Sequence, residues 1–445
     1  MSEPIDRAAA SATNRRVLLV SYYFPPSGGP GVQRTLKFAK YLPKFGWDPI
    51  VLTVDPRYAS YPAVDADLDR DVPEETVVVR TKAWDPYSAY ARLLGKRKED
   101  AVSVGFLSED KEDFRHRIGK WVRANLFVPD ARVGWVPFAV KASRDIHGHS
   151  GFDAVVSTGP PHSTHLAGRR IATRYQVPWI ADFRDPWTGI DFYSSLPMGP
   201  LARRRDKRLE QQVLADADIV VAVTPGMRRA LSGPSRPVEV ITNGYDPADF
   251  SNRPTGDPDF VLSYVGNMNE SRNPTALWNV LSRLKKQNRL GTLAVRLVGP
   301  IDSSVRQAVA DHGLGNVVSI EPPVSHTEAI QIMMRSAMLL LVVNNVSGAE
   351  GIMTGKIFEY VASGRIVLGL GPTEGDAAEL LRSVGAGEMF DWADEAGIER
   401  FLLSSLDCDA GRIRVSGASE HDRTAYSREG QAGQLAGLLN RLVEK

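Results

Sequence analysis

The sequence has little cysteine, no long hydrophobic run and almost no net charge, and each deficit excludes a class of protein. Its 445 residues include one cysteine, Cys408, so no disulfide can form within the chain, and an intracellular location is the simpler interpretation. The longest strongly apolar run, Ala337 to Val343, is far shorter than the ~20 residues that cross a bilayer. Residues 1–14 have early acidic residues and no apolar core, which predicts a disordered tail and not a signal peptide. We therefore expect a cytoplasmic protein.

The charge balance argues against a nucleic-acid partner. There are 54 Lys and Arg against 53 Asp and Glu, a formal net charge of +1. Basic residues are in slight excess up to Phe250 and acidic residues in slight excess beyond it. A nucleic-acid-binding protein would need a strong basic excess, so any attraction to an anionic acceptor or to a membrane surface has to be local.

Short β-branched segments alternate with helical patterns throughout, which is typical of parallel sheets covered by helices on both faces. Because the chain is too long for one compact core, we predict an α/β protein with two doubly wound, Rossmann-like domains, over residues 15–250 and 251–425. A linker rich in Asn, Pro, Gly and Asp runs from Asp246 to Asp259, and a last helix is predicted over 426–445. The predicted strands are 17–21, 49–54, 77–81, 154–158, 179–183, 219–224 and 238–242, then 261–265, 294–298, 317–321, 339–343 and 365–370.

Ligands of doubly wound sheets bind at the carboxyl ends of the strands, where the strand order reverses. With two such domains, we expect them to face each other across a cleft that holds the site. The residues of interest are therefore in the loops that follow the strands.

The segment Thr354 to Gly364 predicts a short helix with Lys356 in its first turn. A cation is disfavoured at a helix N-terminus unless an anion shares it, so the segment indicates a phosphate site. Glu359, three residues later, is suited to ribose hydroxyls. The alternative is a surface Lys–Glu pair on an ordinary helix.

A second predicted site loop follows the strand that ends at Val265. It contains Gly266 and Asn267 and leads to Arg272, just before Pro274 at a helix start. A guanidinium there suits a diphosphate, which it would clamp together with Lys356. Taken alone, Arg272 fits a solvated side chain better than a ligand contact.

In the first half, three predicted loops carry polar or glycine residues. Gly28 and Gly29, before a helix start, let backbone approach a ligand closely, although a turn made rigid by prolines explains them too. His162 follows one strand, and Asp182, Arg184 and Asp185 follow the next, a mixture suited to orienting a hydroxyl. Helix capping around Ser163 and a structural Arg–Asp pair are the alternative.

Two further patterns predict no metal site. The alternating carboxylates Asp65, Asp67, Asp69 and Asp71 belong to no predicted strand end, so a solvated acidic loop is the better interpretation. His147 and His149 lack further ligands nearby, so we do not infer zinc.

Taken together, these motifs resemble the retaining glycosyltransferases of family 4, which have the two-domain GT-B fold, and the resemblance covers nearly the whole chain. The matching segments are 23–26 with 28–29, 129–130 with 135, 160–162, 182–187, 241–244 and 356–360. The resemblance implies transfer of a sugar from a nucleotide-diphosphate donor, bound mainly by the C-terminal domain, to a glycan, lipid-linked or small-molecule acceptor. It also implies a terminal helix that crosses back to the first domain, and a role in bacterial surface polysaccharide or glycoconjugate biosynthesis.

Carried over by position, Arg272 and Lys356 resemble the family's diphosphate clamp, Glu359 its ribose ligand and His162 its active-site histidine. One position departs from the pattern, because the family's first paired glutamate would fall on Gly351, whereas this chain has Glu350 one residue earlier. We expect no cofactor and no metal requirement, since the two cations and helix amides would stabilise the departing diphosphate. A nucleotide-sugar epimerase or hydrolase of the same fold, and a non-catalytic nucleotide-sugar-binding protein, are the alternatives.

Peripheral contact with the inner face of a membrane is a further hypothesis. One apolar and basic stripe includes Phe114, Ile118, Trp121 and Val122, and a second basic patch runs over residues 203–208. A helix packed on the core with a solvated basic face is the alternative and the simpler interpretation.

Overall fold

The computed structural model describes residues 14–61, 63–84, 121–122, 124–233, 237–255, 259–407, 412–413 and 417–444. Two compact units contain the chain: Met1–Val223, Met227–Thr242 and Gln431–Lys445 form the first, and Thr224–Gly226 and Asn243–Gly430 form the second. Residues 1–13 of the predicted tail, the 114–120 part of the predicted stripe, residues 256–258 of the predicted linker and Cys408 lie outside the described residues.

The first unit contains a seven-stranded parallel sheet in the order β3-β2-β1-β4-β5-β6-β7. Its strands are β1 (Arg15–Val20), β2 (Trp47–Val54), β3 (Val77–Thr81), β4 (Ala154–Gly159), β5 (Trp179–Phe183), β6 (Ile219–Ala222) and β7 (Val238–Val240). The described residues of this part of the chain include helices α1 (Pro30–Tyr41), α2 (Val136–His149), α3 (Ser163–Tyr175), α4 (Pro200–Asp216) and α5 (Pro225–Leu231), and residues 121–122 and 124–126 are also helical.

Strand β1 shows why this sheet is covered on both faces. Val17 and Leu19 belong to one buried cluster, whereas Leu18 and Val20 belong to another on the opposite face. Successive side chains of a strand point to opposite faces, so a continuous apolar strand requires two cores. The end of the chain supplies part of one core, because Leu435 and Leu439 of the last helix join the cluster of Val17 and Leu19.

The second unit contains a six-stranded parallel sheet in the order β10-β9-β8-β11-β12-β13. Its strands are β8 (Asp259–Val265), β9 (Ala294–Val298), β10 (Val318–Glu321), β11 (Ser336–Val342), β12 (Ile366–Leu370) and β13 (Gly387–Phe390), with a separate antiparallel pair β14 (Leu406–Asp407) and β15 (Arg412–Ile413). The remaining helices are α6 (Thr275–Lys286), α7 (Ser303–Asp311), α8 (His326–Arg335), α9 (Lys356–Ser363), α10 (Asp376–Ser383), α11 (Glu395–Ser405), α12 (Glu420–Thr424) and α13 (Arg428–Val443).

The predicted fold class is confirmed, since both large sheets are parallel and doubly wound. All twelve predicted strands are present with small shifts at their ends, but neither the short pair β14 and β15 nor the edge strand β13 was predicted. The four residues of β13, Gly387-Glu388-Met389-Phe390, are too few and too mixed to show a strand pattern. Among the described residues, no helix is both long and apolar enough to span a membrane.

Strand order reverses between β1 and β4 in the first sheet and between β8 and β11 in the second. In parallel sheets these reversals open a crevice at the carboxyl ends of the strands. The residues just after β1, β4 and β5, and just after β8 and β11, are thus in the positions where each unit can bind a ligand.

Candidate active site

Helix α9 carries Lys356 at its first residue and is fixed against the sheet by its buried face. Ile357, Tyr360 and Val361 are fully buried, and Gly364, with φ of 74°, ends the helix as predicted. The Tyr360 hydroxyl accepts a hydrogen bond from the amide of Val265 at 3.1 Å. The middle of α9 is therefore tied to the carboxyl end of β8.

The Lys356 side chain runs across the loop that follows β8. Its Nζ donates to Tyr264 Oη at 2.9 Å and lies 4.4 Å from the centre of that ring. A Cβ atom on Gly266 would lie 2.3 Å from both Cε and Nζ of Lys356, so only glycine leaves room for this path. Burial, and then the positive charge of Arg272, lower the pKa of Lys356 to about 7.

Arg272 is held on the same loop by Asn267 and Asn344. Its Nε donates to Asn344 Oδ1 at 2.5 Å and its Nη1 to the carbonyl of Asn267 at 3.0 Å, a carbonyl that also accepts from Tyr264 Oη at 2.6 Å. Within the described part of the chain, no carboxylate forms an ion pair with Lys356 or Arg272. Two neighbouring cations without a carboxylate make a site for an anion with several oxygens.

Glu359 is half-buried on the same helix and makes no side-chain hydrogen bond to any described residue. Burial raises its pKa, and the opposing attraction of His326 is smaller. His326 instead contacts Asp249, with 3.3 Å between Nε2 and Oδ2. A desolvated carboxylate with free oxygens is suited to accept hydrogen bonds from hydroxyl groups.

Glu350 lies in the short 3-10 segment Ala349–Gly351 and is exposed. No described residue forms a hydrogen bond or an ion pair with its side chain. The structure therefore places the clamp residues Gly266, Asn267, Arg272 and Lys356 together, with Glu359 one turn along α9, whereas Glu350 is outside this hydrogen-bonded group.

In the first unit, Asp182 forms a buried ion pair with Arg34. Arg34 Nη2 and Nε donate to Oδ1 and Oδ2 at 2.7 and 2.8 Å, and both side chains are 1% exposed. Thr158 Oγ1 donates to Oδ2 at 2.7 Å, and the guanidinium also binds the carbonyls of Ile241 and Thr242. The pair of Asp182 and Arg34 thus ties β4, β5 and α1 to the segment that follows β7. Its partner is Arg34 of α1, which the sequence analysis did not single out.

His162 lies half-buried at the start of α3, after β4. Its ring stacks on Trp187 with 4.7 Å between centres and an angle of 7°. Burial, and then the neighbouring His165 and Arg184, lower its pKa well below the usual value, so the imidazole is neutral at pH 7. Its Nδ1 has no described partner, and a Cβ on Gly159 would come within 3.3 Å of that nitrogen.

Arg184 and the two predicted glycines surround the same strand ends. Arg184 donates to the carbonyl of Pro160, and its buried Nε has no described partner. Asp185 is exposed next to it. Gly28 is buried and donates to the carbonyl of Ala63 at 2.9 Å, whereas Gly29 is exposed, with φ of 95°. The predicted residues of this unit therefore share one edge of the sheet.

The helix-capping alternative is present beside these residues. Asp130 accepts from both the amide and the hydroxyl of Ser163, each at 2.8 Å, at the start of α3. The acidic segment forms a 3-10 helix at Ala66–Asp71 with Asp65 as its N-cap. Within the described ranges, no group of three or more His, Cys, Asp and Glu side chains is arranged to hold a metal ion.

Comparison with protein families gives one match, over residues 28–244, to the family described as "Glycosyl transferase 4-like domain". This range contains β2 to β7 and the strand-end residues of the first unit. No curated protein is significantly similar in sequence to the chain.

Solved structures show the same fold over nearly the whole chain. A sucrose-phosphate synthase from Thermosynechococcus elongatus superposes with a TM-score of 0.57 at 15% identity, covering 97% of this chain and 100% of that one. A UDP-forming α,α-trehalose-phosphate synthase from Burkholderia xenovorans gives 0.54 at 12%, covering 96% and 99%. The corresponding enzyme from Burkholderia vietnamiensis gives 0.52 at 12%, covering 96% and 100%. At such identities, the likeness concerns the fold.

Proposed function

Because residues 28–244 match a glycosyl transferase 4-like domain and the chain has the GT-B fold, we propose that this protein is a glycosyltransferase that transfers a sugar with retention of anomeric configuration. The donor is a nucleotide-diphosphate-sugar, and the acceptor is a glycan, a lipid-linked sugar or a small molecule. A role in bacterial surface polysaccharide or glycoconjugate biosynthesis fits this reaction.

The pair Lys356 and Arg272 carries the proposal. Both are anchored on the loop after β8 without a carboxylate partner among the described residues, and their repulsion is relieved when a diphosphate binds between them. Negative charge on the leaving diphosphate grows in the transition state, where two fixed cations act most strongly. Removing one such contact should cost on the order of 3 kcal/mol, about a hundredfold in rate.

The rest of the donor would be bound by the two glutamates and the β8 loop. Glu359 would accept hydrogen bonds from the ribose hydroxyls, since its oxygens have no other described donor. Gly266 and Asn267 would offer close backbone approach to the diphosphate. Glu350 is exposed and would contact the sugar, which we test separately because its position departs from the family pattern.

The strand ends of the first unit would bind the acceptor. Gly28 and Gly29 provide backbone near the ligand, and Arg184 and Asp185 provide charge. Asp182 is occupied by Arg34 and would act by positioning these loops. His162, neutral and stacked on Trp187, would orient a sugar hydroxyl. The acceptor hydroxyl would then attack from the face that the diphosphate leaves.

We propose that the two cations replace a metal ion, so that no cofactor is required. Activity should then persist in excess EDTA, whereas its loss, with recovery on adding magnesium or manganese, would contradict this point. The EDTA experiment uses the wild-type enzyme. It therefore tests the metal requirement independently of the role of Lys356.

A thermal-shift panel tests the donor site. Nucleoside diphosphates and nucleotide sugars would be compared on the wild type and on Lys356→Ala, since a ligand at a hundred times its dissociation constant stabilises by about 2.7 kcal/mol. We expect one nucleotide family to raise Tm in the wild type only. No shift with any nucleotide would remove the transferase proposal.

Turnover assays then separate the chemical alternatives. Sugar transferred to an acceptor supports the transferase, whereas free or epimerised sugar in the presence of acceptor would identify a hydrolase or epimerase. Donor binding without turnover would indicate a binding protein.

Peripheral membrane contact is a separate proposal. Trp121, Leu126 and Leu201 are exposed, and Asn125 bridges their segments by bonding to the carbonyl of Pro197 and the amide of Gly199. Exposed apolar side chains beside basic ones favour an anionic bilayer surface. Leu201→Glu should lower co-sedimentation with phosphatidylglycerol vesicles, and wild type that does not sediment with them would refute the contact.

A further inference from the structure

A cavity of about 850 Å³ lies in the first unit, beside helix α4, and we call it the α4 pocket. Its lining includes Arg203, Arg204, Lys207 and Arg208 of α4 and Tyr193 of the preceding loop. Residues 204, 208 and 211 recur at helical spacing, so one face of α4 presents its cations to the same cavity. A volume of this size accommodates a small-molecule ligand.

Arg203 builds the wall of the pocket. Its guanidinium donates to the carbonyls of Tyr193, Ser194, Leu196 and Met198, at 2.8 to 3.2 Å. The loop before α4 is therefore fixed by one guanidinium group, because among side chains only arginine has five N–H donors. The other three cations are not used in this way.

Arg204, Lys207 and Arg208 have no ion pair or side-chain hydrogen bond with any described residue. The three carboxylates of the same helix have other partners, and Asp216 pairs with Arg169. Asp206 accepts from Trp187 Nε1 at 2.8 Å and Tyr193 Oη at 2.9 Å, and Glu210 accepts from the amide and hydroxyl of Thr188. Three exposed cations that share a cavity and lack ion pairs with described residues make it suited to a ligand with several negative oxygens.

The pocket wall also connects to His162. Tyr193 and Trp187 meet on the two oxygens of Asp206, and the Trp187 ring stacks on His162. The buried carboxylate thus fixes the pocket wall and the histidine in one network within the unit. An anionic end held in the α4 pocket would have a defined position relative to His162.

We propose that the α4 pocket binds a phosphate or diphosphate group carried by the acceptor. The assignment to the acceptor rests on the proposed function, whereas the anion site rests on the pocket alone. Guanidinium groups bind phosphate through paired hydrogen bonds, and a third cation neutralises the second charge of a diphosphate. The phosphate is borne either by a soluble sugar or by a lipid.

Calorimetric titration with inorganic pyrophosphate tests the site, in a Lys356→Ala background that removes one of the two cations of the other candidate diphosphate site. Arg208→Glu should weaken binding by about tenfold or more. Arg205→Glu is the matched control, because it makes the same charge change on the same helix outside the pocket lining. The milder Lys207→Ala should also weaken binding, and thermal melts verify folding.

Absence of pyrophosphate binding in the Lys356→Ala background, or equal losses in Arg208→Glu and Arg205→Glu, would overturn the pocket. Co-sedimentation with vesicles of equal parts phosphatidylcholine and phosphatidic acid identifies the source. A loss specific to Arg208→Glu indicates a lipid-borne phosphate, and unchanged sedimentation with weaker pyrophosphate binding indicates a soluble one. Nucleotide-dependent thermal shifts of the wild type are measured in parallel. If pyrophosphate binds the α4 pocket but no nucleotide raises Tm, the pocket is supported and the donor site is not. If nucleotides raise Tm but pyrophosphate does not bind the α4 pocket, only the pocket is refuted.

Discussion

Gly266 and Lys356 occupy adjoining space, such that a single carbon added to Gly266 would lie 2.3 Å from Lys356 Nζ. Gly266 also has φ of 125°, which side chains rarely adopt. The Lys356 side chain can thus lie where the proposed diphosphate clamp needs it only because residue 266, 90 positions earlier in the chain, is a glycine. The location of Lys356 Nζ therefore depends on Gly266 as well as on helix α9.

Gly266→Ala should therefore displace Lys356 and weaken nucleoside diphosphate binding nearly as much as Lys356→Ala does. Calorimetry on both variants measures this. Gly355→Ala is the matched control, since Gly355 adjoins Lys356 but has helical dihedral angles and open space where a Cβ atom would lie. If Gly266→Ala binds as well as the wild type, the crowding has no functional consequence.

The titration of Lys356 should make both stability and binding depend on pH. The pKa is lowered to about 7 in the folded protein, against about 10.4 for an unperturbed lysine. The unfolded state then binds more protons between pH 7 and 10, so the free energy of unfolding should rise with pH across this window. Urea titrations of wild type and Lys356→Met measure the difference, and equal slopes would mean that the lysine titrates normally.

Diphosphate binding should restore the charge on Lys356. Near pH 8 the wild type is expected to take up close to one proton on binding, because an anion raises the pKa of the lysine back above the solution pH. Calorimetry in two buffers of different ionisation enthalpy detects this uptake. Lys356→Met should show none, and affinity in the wild type should fall as pH rises above 7.

Glu359 and Glu350 should affect different parts of the donor. Glu359→Gln keeps the size but weakens the acceptor atoms, so it should lower affinity for a nucleoside diphosphate about tenfold without changing that for inorganic pyrophosphate. Glu350→Gln should leave nucleoside diphosphate affinity unchanged and weaken the nucleotide sugar. Equal effects of Glu359→Gln on both ligands would argue against ribose contact.

The Arg34–Asp182 pair should contribute strongly to folding. Both groups are about 1% exposed, so Arg34→Ala leaves a buried carboxylate without its cation and should destabilise the first unit by about 3–5 kcal/mol. Urea unfolding measures this. Arg57→Ala is the control, since Arg57 pairs with Asp55 in water and is 81% exposed. If Arg34→Ala lowers the free energy of unfolding by less than 1 kcal/mol, water must reach Asp182 once its partner is removed.

Much of this protein is determined locally by its sequence. The β-branched segments define twelve strands, because apolar periodicity reflects which faces are buried, and α9 begins at Lys356 and ends at Gly364 as the helix pattern requires. The strand-end loops also follow from the parallel topology, so the candidate residues could be named without coordinates. Strand β13 was missed, because this four-residue edge strand is defined by its pairing with β12 and not by a pattern in its own sequence.

Only the tertiary structure decided which of these side chains meet. Asp182 pairs with Arg34, 148 positions away, and not with the neighbouring Arg184, because burial favours the partner that completes its hydrogen bonds. The crowding of Lys356 by Gly266, the anchoring of Arg272 by Asn344 and the convergence of α4 cations on one cavity have the same origin. Local pattern fixes the elements, but contacts between side chains distant in sequence depend on how the elements pack, which periodicity does not encode.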